Sequence, residues 1–420
     1  MGPHSRATPT IRRRSGWWAA LLAVSAVAAC TPGTRTNSPA TQPAPTATSG
    51  TTAPMTMRPG ALFYTKAGSL YVSEPAGTPG RKLTDGPADA QPAPSPDLSH
   101  VAFVRKATAA DYGGELWILD LSPQLAPVGP PRRLVDPAAL PHRSGDVPAM
   151  VASPRWSPTG ERVAFVDNPT GGAVDGGYLL VAAADTGALA PTQQKLFAES
   201  GFAWAPDGRD IAWVQARSDV RPVDVNVLAV GGESTPFATD TNASSVTYSK
   251  DGQAILFANG DASGLDAGVP AFAVRTGGIY SVAASAQTGG KLPAPTPLFT
   301  KPGSYYGDIT ALGSGAVAFT TQTAGQGAAD PSKTIQVLDA GSSLPRTTVT
   351  DVAVMLTCQG SPRGGSVCNA AQQPVWGAGD FVAYLDTSSG NWLVVTDLDN
   401  RSPTRVDTGV DTFAWAPAAR

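Results

Sequence analysis

The stretch Phe202-Ala-Trp-Ala-Pro-Asp-Gly-Arg-Asp-Ile-Ala-Trp-Val214 constrains this chain more than any other, because near-copies of it return along almost the whole length. It reads as a strand, a tight turn and a second strand. Phe202 to Ala205 form a short apolar run, and Ile211 to Val214 are rich in β-formers. Between them Pro206, Asp207 and Gly208 carry turn chemistry, in which proline presets φ and glycine tolerates positive φ. A lone hairpin of this size is marginal in water, so the copies must bury one another's faces.

From Gly60 onward the unit extends to four strands. Ser95-Pro96-Asp97 with Val101 to Val104 opens one unit, completed by Leu116 to Asp120 and Arg133 to Val135. Trp156, Pro158 and Gly160 with Val163 to Val166 open the next, followed by Tyr178 to Val181 and Lys195 to Phe197. The third holds Trp204, Pro206, Asp207 and Gly208 and continues through Val225 to Val230 and Pro236-Phe237. The fourth has Tyr248, Asp251 and Gly252, then Ala254 to Phe257, Ile279 to Val282 and Pro297 to Thr300. A weaker fifth unit has Ile309 to Gly313, Val317 to Phe319, Ile335 to Asp339 and Thr347 to Val352. The sixth has Trp376, Phe381 to Tyr384, Trp392 to Val395 and Thr404 to Val406.

Two fragments remain, and they complement each other. Ala61 to Tyr64, Leu70 to Val72 and Lys82 to Thr84 lack a first strand, whereas Thr412 to Pro417, with Trp415, is a first strand without partners. Joined, they make a seventh unit and close a ring that leaves no open sheet edge. The expected fold is therefore an all-β propeller of seven four-stranded blades closed by the two chain ends. Six or eight blades are the alternatives, because the Ser-Pro turn is degraded at Leu312 and Trp376. The 45 glycines and 39 prolines also argue for turns over long helices.

The repeated Trp-Ser/Ala-Pro-Asp/Thr-Gly, followed by apolar-Ala-aromatic-Val, resembles the repeat of TolB-like, or WD40-like, bacterial β-propellers over roughly residues 60–417. It is clearest at Trp156 and Trp204 and fainter at Pro94, Tyr248 and Trp415. What the resemblance implies is a propeller that contacts envelope proteins without catalysis.

Residues 1–29 have the layout of a signal peptide: Arg6, Arg12, Arg13 and Arg14 precede the apolar run Trp17 to Ala29. Val27-Ala28-Ala29-Cys30 resembles a lipobox, which would place a lipid on Cys30, with ordinary cleavage near Ala29 as the alternative and the export route, Sec or twin-arginine, open. Residues 30–58 read as a disordered Pro/Thr/Ser tether, and 59–420 as the propeller. Loss of 1–29 would take the net charge from −3 to −7, since that segment holds four arginines and no acid. A mildly acidic domain without a basic run is a poor nucleic-acid binder. The expectation is a monomer on the extracytoplasmic side of the cell membrane, held by lipid and bound to envelope proteins.

Cys358 and Cys368 are the remaining cysteines, and an exported chain favours their pairing. His100 is expected at the surface in the turn before Val101. His142 shares a long connection with Arg143 and Asp146, a tentative binding loop. Two scattered histidines do not make a zinc site, and the acidic loop Asp261 to Asp266 lacks the alternating ligands of a calcium loop. No Gly-x-Ser-x-Gly elbow is present. Neither a metal, a cofactor nor a catalytic residue is therefore expected. The longest insertions are 136–153, 260–277, 322–332 and 356–373, and Tyr305-Tyr306 sit in a short connection, packed between blades or offering exposed aromatic contact. Three readings follow: a protein-binding scaffold first, then a sensory lipoprotein holding a sugar or cell-wall fragment, then a propeller enzyme of lyase or lactonase type.

Overall fold

A computed structural model describes residues 60–111, 113–141, 148–168, 177–191, 194–196, 201–216, 223–239, 241–260, 274–285, 293–323, 332–353, 356–360, 366–370, 375–376, 381–386, 392–398 and 403–416. Cys30, His142, Arg143 and Asp146 lie outside the described residues, as do the side chains of Cys358, Cys368 and Trp376. The described residues belong to one compact unit that begins at Thr56.

Among the described residues that unit is all-β apart from a single 3-10 turn at Pro137–Ala139. Its strands form seven four-stranded sheets and one two-stranded hairpin. Each sheet is a blade whose strands run from the innermost outward. Blade 1 is Asp89–Pro94, His100–Arg105, Glu115–Asp120 and Arg132–Arg133. Blade 2 is Val151–Trp156, Arg162–Asp167, Gly177–Ala183 and Gln194–Leu196. Blade 3 is Phe202–Trp204, Asp210–Ala216, Val223–Ala229 and Ser234–Ala238. Blade 4 is Ala243–Tyr248, Ala254–Asn259, Gly278–Ala283 and Thr296–Thr300. Blade 5 is Ser304–Ala311, Val317–Thr323, Ser332–Leu338 and Arg346–Ala353. Blade 6 is Val375–Trp376, Phe381–Asp386, Trp392–Asp397 and Thr404–Thr408.

The seventh blade is made from both chain ends. Val410–Trp415 is its innermost strand and pairs antiparallel with Leu62–Lys66, placing Phe413 opposite Tyr64 and Trp415 opposite Leu62. Ser69–Ser73 and Arg81–Lys82 complete it. The chain ends thus share one sheet as expected, and the blade count is seven rather than six or eight.

The recurrent apolar-Ala-aromatic-apolar strand has a packing reason. Both faces of a second strand are buried, each against a different neighbour, so alternation of polar and apolar residues gives way to alternation of large and small. Seven apolar clusters among the described residues each bridge two adjacent blades. Phe165 shares one with Ala102 of the preceding blade, Trp213 with Ala164, and Phe257 with Ala212. Each aromatic ring fills the space that an alanine leaves on the blade before it.

The turn between first and second strands is equally regular. Gly160, Gly208, Gly252 and Gly315 take φ between +71° and +79° and donate back to Ser157, Ala205, Ser249 and Leu312. In blade 1 Leu98 occupies that left-handed position, with φ +61°. Where serine opens the turn, its hydroxyl accepts from the first residue of the second strand, as Ser95 does from His100 at 3.0 Å and Ser249 from Ala254 at 2.9 Å.

Two sequence expectations need correction. Tyr305 and Tyr306 do not lie in a connection, because the first strand of blade 5 begins at Ser304. Tyr306 is buried edge-on to Phe299 and Phe319, between blades 4 and 5, whereas Tyr305 is 46% exposed. His100 is not in the turn, because the bond to Ser95 extends the ladder and makes it the first residue of its strand. There it is half-buried, stacked on Trp156 at 5.9 Å and 2.9 Å from Asp120 Oδ1.

Candidate functional site

In a four-stranded antiparallel blade, the connections from first to second and third to fourth strand leave one end of the sheet, and the other two connections leave the opposite end. Applied to seven blades, this sorts every connection onto one of two faces. The turn face carries the uniform five-residue turns of blades 1 to 5, and the chain enters it at Gly60 before Leu62–Lys66. The other face receives the connections Arg133 to Val151, Asn259 to Gly278, Thr323 to Ser332 and Ala353 to Val375. The turn face also carries third-to-fourth connections of some length, Asp120 to Arg132 and Ala283 to Thr296, each longer than Thr323 to Ser332, but the three longest between described strands leave from the other face, the longest of all being Ala353 to Val375. Within the last of them lies the hairpin Leu356–Gly360 with Ser366–Ala370, whose register sets Cys358 opposite Cys368.

The innermost strands surround the axis, and their side chains divide by position. Pro92, Pro154, Phe202, Val246, Ile309 and Phe413 turn into the gaps between blades and are buried, whereas the residue before and after each is, with few exceptions, more open. Counted back from the opening residue of the turn, the fourth position holds Gln91, Ser153, Gly201, Ser245, Asp308 and Thr412 in the blades where it is described. Bulges in these strands free backbone N–H groups at or next to this position. Gln91 N–H donates to Thr412 Oγ1 at 2.7 Å, Ser153 N–H to Gln91 Oε1 at 2.6 Å, and Ile309 N–H to Ser245 Oγ at 3.2 Å. The polar side chains of one blade thus satisfy the bulge of the next. Left-handed φ at Gln91, Ser153 and Asp308 marks the same bulges.

Two positions further on, the innermost strands hold Ala93, Arg155, Ala203, Thr247, Thr310, Val375 and Ala414. Six of the seven are small or neutral, and Arg155 is the exception. Its guanidinium lies over the Phe202 ring at 4.7 Å, and Nη1 donates to the Phe202 carbonyl. Its own carbonyl accepts from Trp204 Nε1 at 3.1 Å, just as the Ala93 carbonyl accepts from Trp156 Nε1 at 2.7 Å. Solvent reaches the Arg155 side chain, yet the surrounding strands displace enough water to lower its pKa from the ordinary arginine value.

Of the motif residues singled out from sequence, Trp156, Trp204 and Trp415 pack between blades, and Pro158, Pro206, Asp207, Gly208, Asp251 and Gly252 build turns. Hydrogen bonds from Ser249 and the Gln253 backbone hold the Asp251 carboxyl below the usual carboxylate range. Their role is structural, as the repeat implied. Among the described residues no group of three His, Cys, Asp or Glu side chains could hold a metal ion. Nor is any described helix long and apolar enough to cross a membrane. The sequence reading missed Arg155, although comparing equivalent positions across the seven first strands would have exposed it as the one charged residue of its row.

No family model matches this chain, and no curated protein matches it either. Solved structures do. A protein of unknown function from Desulfotomaculum acetoxidans is 12% identical over 85% of this chain and 99% of that one, with TM-score 0.51. The tricorn protease is 11% identical with TM-score 0.56, over 84% of this chain, which spans only 33% of the protease. TolB from Acinetobacter baumannii is 18% identical over 77% of this chain and 68% of that one, with TM-score 0.47. The likeness at these identities is one of fold: the chain is a seven-bladed β-propeller.

Proposed function

We propose that this protein is a non-catalytic protein-binding scaffold, held by lipid on Cys30 at the extracytoplasmic side of the cell membrane. Its binding face is the one that carries the insertions. The observation that supports this reading is the convergence of the three longest connections, Arg133 to Val151, Asn259 to Gly278 and Ala353 to Val375, on a single face, while the opposite face carries the uniform five-residue turns and shorter connections. Loops gathered on a rigid scaffold are where propellers recognise partners. The described chain begins at Gly60 on the turn face, the side opposite these insertions. A disulfide between Cys358 and Cys368, opposite each other in their hairpin, would pin one insertion by roughly 2 to 3 kcal/mol on the loop-entropy picture.

Site-specific photo-crosslinking in living cells tests the face. A crosslinker at Thr108 or Tyr305, both exposed at the insertion face, is expected to give discrete protein adducts, and one at Asp251 or Leu344, exposed at the turn face, none. Adducts of equal yield from both faces, or from the turn face alone, would sink the assignment. In the same cells Cys30→Ser should release the protein from the membrane fraction, and unchanged lipid labelling of that variant refutes the anchor.

A further inference from the structure

We propose that Arg155 is the anchor of a carboxylate-binding site inside the ring of innermost strands. The site stands apart from the insertion face, so it can fail or hold independently of the scaffold reading.

The first argument is the contrast within the row. At the six equivalent positions the chain places Ala93, Ala203, Thr247, Thr310, Val375 and Ala414, so Arg155 is the one charged residue in a row of small or uncharged ones. The second is its missing counter-ion. Three half-buried cations of this propeller are paired with carboxylates, Arg105 with Asp89 at 2.7 Å, Lys333 with Asp308 at 2.9 Å and Lys66 with Asp407 at 2.6 Å. Among the described residues Arg155 has no carboxylate, and of its five N–H donors only Nη1 is engaged, by the Phe202 carbonyl. The side chain is exposed, so its remaining donors are open to a dissolved anion. A staple to one backbone carbonyl does not require a charge, since a glutamine amide donates as well. The charge and the free donors are what a ligand would use.

The chemistry of the anion follows from the donor set. A guanidinium presents parallel N–H groups that match the two oxygens of a planar carboxylate. One positive charge suits one negative charge. The described innermost strands bring no second cation to this level and no α-helix points an N-terminus at it, which disfavours a phosphate dianion. The Phe202 ring lies against one face of the guanidinium, and the Phe202 carbonyl occupies Nη1, which leaves the other N–H groups for an anion.

The test is thermal unfolding and calorimetric titration of the purified protein with acetate, triglycine, triglycine amide and inorganic phosphate at constant ionic strength. Acetate and triglycine should raise the melting temperature saturably, and the amide and phosphate should not. Equal affinity for the first two assigns the site to the carboxylate as such, whereas triglycine binding about tenfold more tightly assigns it to a peptide terminus. Arg155→Gln should lose the carboxylate response by about tenfold or more while melting at or above the wild-type temperature without ligand. Arg155→Lys, which keeps the charge but not the fork, should bind several-fold more weakly. An undiminished response in R155Q, equal affinity in R155K, or a response to phosphate matching that to acetate overturns the proposal. Glu199, the nearest carboxylate along the chain to Phe202, supplies the remaining control: E199Q should bind carboxylates as wild type does, and a tenfold gain would make Glu199 the partner of Arg155 instead.

Discussion

Asp89 shows how a single buried charge is tolerated in a propeller. Its side chain is wholly buried, and it accepts from Arg105 Nε at 2.7 Å and Nη2 at 3.0 Å and from Thr84 Oγ1 at 2.6 Å. Arg105 in turn stacks over Trp117 at 4.6 Å. A fully satisfied buried pair contributes little net stability, but breaking it leaves a desolvated charge behind. Asp89→Asn is expected to lower unfolding stability by about 3 kcal/mol in denaturant titrations, and Arg105→Met in the same chain should restore part of that loss. A double variant no better than the single one would show that Asp89 acts through Thr84 and its turn instead. None of this could be read from the sequence, in which Asp89 and Arg105 belong to different strands and look like ordinary surface charges. The tryptophans of the repeat were legible, because Trp156 and Trp204 recur in phase with their turns.

At the scale of the element, the second strand of each blade carries the packing rule of the whole ring. Ala212 is fully buried where Phe257 of blade 4 enters the gap. A larger side chain there must displace an aromatic ring held between two sheets. Ala212→Leu is expected to cost about 1 to 3 kcal/mol, whereas the same change at exposed Ala229, the last residue of the third strand, should be near neutral. Equal melting temperatures for the two variants would mean that the gap is not close-packed. The strand pattern itself was plain in the sequence, since alanine alternating with an aromatic residue repeats in register. The fifth blade was misjudged at its start because Ser304 to Gly307 lack that alternation, and a glycine and two tyrosines read as a connection.

For the whole molecule, closure of the ring is the step on which the blades depend. Across the junction between blade 6 and the closing blade, Tyr64 Oη donates to Asp407 at 2.8 Å and Lys66 Nζ does so at 2.6 Å. Burial works against ionisation of Asp407, but the hydrogen bonds from Lys66 and Tyr64 outweigh it and hold its carboxyl below the ordinary value. Burial, and then the bond to Asp407 with its charge, raise the Tyr64 phenol, so it remains a donor throughout the physiological range. A depressed carboxyl stabilises the fold above its unfolded pKa of about 3.9, and the contribution is lost as pH falls through the lower folded value. Wild type should therefore melt above Asp407→Asn at pH 7, with the gap narrowing to nothing in strong acid. A gap that persists undiminished at low pH would remove Asp407 from the closure.

What the sequence determined by itself is what repeats: the blade, its turn and the sharing of one sheet by the chain ends. Those features are local patterns of residue size and turn chemistry, multiplied until their phase is unmistakable. Only the tertiary structure decided which residues of different blades meet. It alone gathered the longest insertions on one face, paired Asp407 with a strand more than three hundred residues earlier, and laid the Arg155 guanidinium over Phe202 of the next blade. A ring brings together positions whose separation along the chain carries no signal, because the contacts are set by closure and not by neighbouring residues.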